Sequence, residues 1–441
     1  MPNSNAKNLS VSAAKDRIHV RGDVHQDLSL LADMTFGSLL SRPRARVLDL
    51  LNIAAGAYTV DRAVKRKKGN GNELGIRSLR LCFAVHDLTF WQSPEITDVT
   101  TEILSFLTDE NWSLTFESVA LPEFSQARQL RLGLPWTRRP GRIALYSGGL
   151  DSAAGLATRV MGGVEDYLLV TVGHHGALRR RCANQIERLS ELTNTTRQLH
   201  TTLVVRLRGS AAKRMSHQES SQRSRAFLFC AAAAVAAQAC KVEVIDVFEN
   251  GVGAINLPLM TGMLAGGLAT RGAHPTFLQL MSRLASLVAE KPIRYSLPFA
   301  AQTKAEMLAV FKSPELANWA QLSHSCVHTS LRERNISHCG QCPGCIERRQ
   351  AFAAAGIDER IAGKYSLDIV AGKPRDSANA DYLRCYIDDA AAWLSNDASI
   401  RRRMNWHLFA TQVPADQHAS IAERQRRHAH KVIATFGHLT A

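Results

Sequence analysis

Four short stretches, Arg142–Tyr146, Tyr167–Val172, Leu203–Leu207 and Val242–Phe248, are apolar almost throughout and do not alternate with polar residues. A strand of that kind must be covered on both faces. Helix-like stretches, Leu178–Leu192 and Arg225–Cys240, lie between the runs and can supply the cover. Continuous apolar strands interleaved with helices imply βαβ units, so the expected fold class is α/β with a parallel sheet over residues 139–320. At 441 residues the chain is longer than one compact domain usually runs, so further units are expected on either side.

Residues 1–43 are polar and mixed. Val47, Leu50, Leu51, Ala54, Ala57 and Tyr58 recur at helical spacing between Arg44 and Lys65, and the turn-rich Lys67–Asn72 ends that helix. Leu79, Leu81, Phe83 and Val85 alternate with polar or small residues, as do Trp112, Leu114 and Phe116, and an apolar-periodic segment, Val99–Leu107, separates the two. Alternation of this kind is the habit of antiparallel strands with one wet face. The expectation is a separate α+β domain over residues 1–138, joined by a linker at Trp136–Gly141. Residues 321–360 hold a cysteine cluster, and residues 361–441 read as a polar helical tail.

The Ala-rich run before Lys241 is too short to span a bilayer, and the N-terminus lacks the pattern of a secretion signal. Nine cysteines, four of them clustered, favour metal ligation in a reducing, cytoplasmic setting over a disulfide framework. Lys and Arg exceed Asp and Glu to give a formal charge of +15, with runs at Lys65–Lys68, Arg179–Arg181 and Arg401–Arg403. None is interleaved with aromatics, so nucleic acid is an open but not the favoured partner.

Ser147-Gly148-Gly149-Leu150-Asp151-Ser152 follows the first apolar strand and opens a helix. Parallel sheets bind ligands at the carboxyl ends of their strands, where the next helix presents backbone N–H groups. The glycines allow an oxyanion to approach, Ser147 and Ser152 can donate to phosphate oxygens, and Asp151 could hold the magnesium that travels with ATP. A plain glycine turn with a Ser/Asp helix cap has the same letters. The string resembles the SGGxDS motif of the PP-loop ATP pyrophosphatases, whose sheet is like that of adenine nucleotide alpha hydrolases and whose members attach AMP to a substrate oxygen.

Cys326, Cys339, Cys342 and Cys345 are spaced C-x12-C-x2-C-x2-C. Two overlapping CxxC turns gather three sulfurs, and Cys326 can close a structural S4 zinc site. An iron–sulfur cluster is the rival, and His324, His328 and His338 are nearby reserve ligands.

The loop and the cysteines together, with Pro298, Thr303-Lys304-Ala305-Glu306 and Arg348, make residues 141–360 resemble the QueC family of 7-cyano-7-deazaguanine synthases. The resemblance implies ATP-dependent adenylation of a 7-carboxy-7-deazaguanine-type carboxylate and transfer to an amine, with Asp151, Lys304 and Arg225 as catalytic residues. Arg223 is a second arginine at the head of the Ala-rich helix. In QueC proteins an acidic loop containing Tyr and Pro follows the fourth strand; here that place holds Glu249–Asn256, with Glu249 and Asn250 left to read the substrate. The extra length also makes the chain similar to the QatC component of bacterial antiphage gene sets, which implies a small partner protein and an acceptor amine from ammonia or from protein. A PP-loop enzyme modifying transfer RNA and a non-catalytic nucleotide-sensing subunit are the alternatives.

Overall fold

The computed structural model describes residues 6–14, 16–40, 44–66, 75–120, 139–163, 166–174, 176–208, 218–259, 270–327, 338–359, 365–371, 377–395 and 397–440. The turn-rich segment 67–72, residues 136–138 of the linker and His328 lie outside them.

The four non-alternating runs form β6 (Arg142–Leu145), β7 (Tyr167–Gly173), β8 (Leu199–Arg208) and β9 (Val244–Val247), all mutually parallel, with β10 (Arg294–Ser296) parallel to β9. Every residue of β7 is buried. The helices Leu150–Met161 and Gly176–Thr193 pack with the hydrophobic cluster on one face, and Arg225–Cys240 and Pro275–Ala289 with the cluster on the other. Two-sided cover is what the uniform apolarity required.

The N-terminal residues depart from expectation in two ways. Residues 7–32, read as merely polar, form three strands: β1 (Lys7–Ala14), β2 (Arg17–Gly22) and β3 (Gln26–Ala32). Their Leu9 and Val11, Ile18 and Val20, and Leu28 are buried, an alternation present in the sequence but diluted by polar neighbours. Second, β4 (Ser78–Val85) and β5 (Asn111–Ser118) pair parallel, not antiparallel, across the helix Pro94–Thr108. Their alternation does report a wet face: Arg80, Asn111, Ser113, Thr115 and Glu117 are exposed. It arises because the cover lies on one side, not because the strands run in opposite senses.

Among the described residues, ten strands form one sheet, ordered β10-β9-β6-β7-β8-β3-β2-β1-β4-β5. The antiparallel pairing of β3 with β8, from Asp27↔Arg208 to Ala32↔Leu203, joins the N-terminal strands to the parallel half. One hydrophobic core also runs across both, from Leu9 and Phe83 to Phe227 and Met281, with Gly56 packed so closely against Val11 and Phe83 that a side chain there would overlap them. The described strands β1–β5 therefore continue the same sheet and share its core. The tail, Ser377–Leu394, Ala398–Ala410 and His418–Phe436, forms a third cluster around Trp393 and Leu408, and it packs against Pro343–Ala354.

Candidate functional site

Strand order reverses at β6. From it the chain proceeds through β7 and β8 to one side, while β9 and β10 lie on the other. Such a switch point leaves a crevice beyond the carboxyl ends of the neighbouring strands. Register aligns Leu145 with Val247 and Asp246 with Ser296, so the segments after β6, β9 and β10 emerge side by side. Those segments carry Ser147–Ser152, Glu249–Asn250 and Thr303–Lys304, which the sheet thus brings together.

The loop after β6 is shaped by its own residues. Gly148 has φ +69, a conformation that favours glycine, and a side chain there would also press on Cys182. Ser147 Oγ lies 2.8 Å from Ser152 Oγ and accepts from Gly149 N–H at 3.2 Å. The carbonyl of Gly148 is held from two sides, by Gln185 Nε2 at 3.3 Å and by the His324 N–H at 3.0 Å. Gln185 is in turn fixed by the Tyr146 hydroxyl at 2.8 Å. Gly149 is the N-cap of Leu150–Met161 and gives it no side-chain cap, so that helix start has none of the usual Ser/Asp capping bonds.

Around the loop stands a charged cluster. Lys304 Nζ lies 3.1 Å from Asp151 Oδ2 and 3.1 Å from Glu347 Oε2. Asn250 donates through Nδ2 to Asp151 Oδ1 at 3.1 Å and to Glu249 Oε1 at 2.7 Å, while its Oδ1 caps the short helix Gly251–Ile255. Lys304 begins a helix fixed by a capping box between Thr303 and Glu306. Arg427 and Lys431 of the C-terminal helix both bind Glu306, holding its carboxyl down to about 2 against the opposing effect of burial.

Three carboxylates, Asp151, Glu249 and Glu347, face one ammonium. Burial, reinforced by Asp151 and Glu347, pushes the Glu249 carboxyl up to about 8. Burial would lower Lys304, but the three carboxylates more than offset it and keep the amine charged. Glu347 is held low despite burial by Lys304 and by the Tyr382 hydroxyl at 3.0 Å.

Arg225 is not in this cluster. Its guanidinium sits over the Phe229 ring at the head of Arg225–Cys240, near Tyr58 and Arg62. Arg223 is buried against the Thr108 carbonyl and Asp109. Glu347, Tyr382 and His428, the last with Nε2 3.0 Å from the Tyr386 hydroxyl and on the same cavity wall as Lys304, were not foreseen. No local pattern separates Glu347 from the charged string Glu347-Arg348-Arg349, and the tail residues arrive only through packing.

Cys326, Cys339, Cys342 and Cys345 place their sulfurs within 4.8 Å of one another. The Cys339–Cys345 and Cys326–Cys342 separations are both 3.9 Å. Zn–S bonds of about 2.3 Å give a tetrahedron with edges of roughly 3.8 Å, so the four thiols could hold zinc with little movement. Gly340, at φ +83, abuts the Leu367 carbonyl, and Gly344 abuts that of Ser325, leaving no room for side chains. The element also reaches the Ser147–Ser152 loop. Arg348 Nε meets Glu359 at 2.5 Å and its NH1 donates to Ser323, next to the His324 that grips Gly148.

Residues 272–356 match the family model of the queuosine biosynthesis protein QueC. This stretch is QueC-like. The match contains Lys304, the four cysteines and Glu347, whereas the loop at Ser147–Ser152 precedes it. No curated protein matches the chain significantly.

Proposed function

We propose that this chain is a QueC-like ATP-dependent ligase that adenylates the carboxylate of a 7-carboxy-7-deazaguanine-type heterocycle and passes the acyl group to an amine. The observation that carries the reading is the Asp151–Lys304 contact, in which a QueC-like segment meets the Ser-Gly-Gly-Leu-Asp-Ser loop at the switch point of the sheet.

In the first step a carboxylate oxygen attacks the α-phosphorus of ATP and the bond to pyrophosphate breaks. Negative charge builds on the departing oxygens. The Leu150–Met161 helix start, the Ser147 and Ser152 hydroxyls and the Lys304 ammonium would offset it. A magnesium ion, held by the Asp151 carboxylate, would supply further positive charge there. In the second step the amine nitrogen attacks the acyl carbon and AMP leaves. The amine must lose a proton, and Glu249, titrating near neutral pH, suits its acceptance. Arg225 lies outside the Lys304 cluster, over the Phe229 ring, and is given no role in either step. Zinc held by the four cysteines would be structural, bracing the segment that holds Gly148.

The proposed acceptor is ammonia or a protein amine, and the length beyond the QueC-like stretch is the ground for proposing a protein partner in an antiphage setting. Incubation with α-labelled ATP, magnesium and 7-carboxy-7-deazaguanine tests the chemistry. AMP and pyrophosphate should form only when the carboxylate is present; hydrolysis to ADP, or no turnover with any amine, would overturn it.

A further inference from the structure

Beyond Lys304 the charged cluster opens into a cavity of about 150 Å³ that is not fully enclosed. A void of this size elsewhere admits one aromatic ring, and its open side leaves room for a fused second. One wall is aromatic: Tyr382 and Tyr386, on Ser377–Leu394, stack with centroids 5.9 Å apart and planes 15° from parallel, and Trp393 follows two turns later. Gln350, on Pro343–Ala354, and Gln425, on His418–Phe436, also line it. They are only 1% and 5% exposed, yet the side-chain nitrogen of each has no hydrogen-bond partner among the described residues. An orphaned buried amide is unfavourable, and a core maintained for packing alone would carry a leucine or methionine at such a position. Two of them lining one cavity, beside an aromatic wall, point to an occupant that supplies acceptors.

We infer that this cavity binds a planar nitrogen heterocycle bearing carbonyl or ring-nitrogen acceptors, flanked by Tyr382, Tyr386 and Trp393 and held by the Gln350 and Gln425 amides. The C-terminal helices then decide what is activated, together with the short segment after β9. Binding stands on the cavity itself. Identifying the occupant with the group that is adenylated rests on the reaction proposed above, because Lys304 belongs both to the cavity wall and to the phosphate-loop cluster.

The test uses the full chain and two variants, Gln350→Leu and Gln425→Leu, with 7-carboxy-7-deazaguanine as the probe and calorimetry or aromatic fluorescence as the readout. Each variant should bind the heterocycle about tenfold more weakly and bind ATP within about twofold of the parent. Each should also melt no lower than the parent in the absence of ligand, because an unpaired buried amide has been removed, and this separates loss of recognition from loss of fold. Unchanged heterocycle affinity in both variants, or no binding by the parent chain, would overturn the inference. Heterocycle binding without AMP formation would remove the proposed chemistry and leave the pocket. AMP formation with an unchanged KM for the heterocycle in both variants would do the reverse.

Discussion

The cluster around Asp61 and the cluster around Asp151 are made of the same kinds of residue in different balance. In the first, Asp61, Glu110 and Glu219 are met by Arg66 and Arg77, with Arg66 Nε 2.6 Å from Glu110 and Arg77 NH2 2.6 Å from Asp61. The Ser224 N–H and hydroxyl add bonds to Asp61 at 3.0 and 2.9 Å. Burial would raise the Asp61 carboxyl, yet Arg77 and Arg66 hold it below its ordinary value, and Glu219 is likewise held down against burial by the Arg66 and Ser221 N–H groups. In the second cluster three carboxylates share one lysine, and Glu249 is pushed up. The first is a closed fastening among a helix end, two strand starts and the segment leading into Arg225–Cys240. The second is short of positive charge and borders a cavity, the condition of a site awaiting a cation or a proton.

A zinc ion held by the four cysteines would set the scale for a purely structural site, and the largest effect belongs there. Metal analysis should find about one zinc per chain. Cys342→Ser should lose it and unfold at a much lower temperature, since structural zinc contributes about 10 kcal/mol or more of folding free energy in small zinc domains. Visible iron absorbance would contradict the zinc assignment. Next comes the fastening. Asp61→Asn leaves Arg66 and Arg77 short of a buried partner and should lower stability by about 3–5 kcal/mol in denaturant titration, with turnover per folded molecule unchanged. Asp151→Asn inverts that outcome. AMP formation should fall at least about a hundredfold, roughly 3 kcal/mol of barrier, while the melting temperature holds or rises because like charge is relieved. If both aspartate variants lost stability alike, the two clusters would be of one kind.

The smallest effect concerns pH. The folded Glu249 carboxyl titrates at about 8 against an ordinary 4.5, so between those values the folded state holds a proton that the unfolded state has released. Stability must fall as pH rises through that window. Melting temperatures at pH 5 and 8 should show a decline in the parent chain that Glu249→Gln reduces; an equal decline in both would place the titration elsewhere.

Reading residues in order was enough for the parallel half, because uniform apolarity has one physical meaning when a strand is covered on both sides. Arg225–Cys240 is a helix over the expected residues, and β6, β7 and β9 match within a few residues. It was not enough for β4 and β5, because alternation reports how many faces are covered and not the direction of the partner strand. The loop at Ser147–Ser152 and the four cysteines were legible because their chemistry depends on local spacing. Arg225 lies outside the Lys304 cluster, because charge at a helix start does not say where that helix lies relative to the crevice.

The sequence by itself determined the glycine loop, the thiol set and the chain direction of the parallel half, since each follows from neighbours within a few positions. Only the tertiary structure decided which groups meet. Register between β6, β9 and β10 aligns three distant segments, and the packing of the last two long helices brings Tyr382, Gln425 and His428 to Lys304 from residues more than seventy positions away. Such contacts depend on sheet order and helix packing, which pairing energies across the whole chain select and no local pattern records.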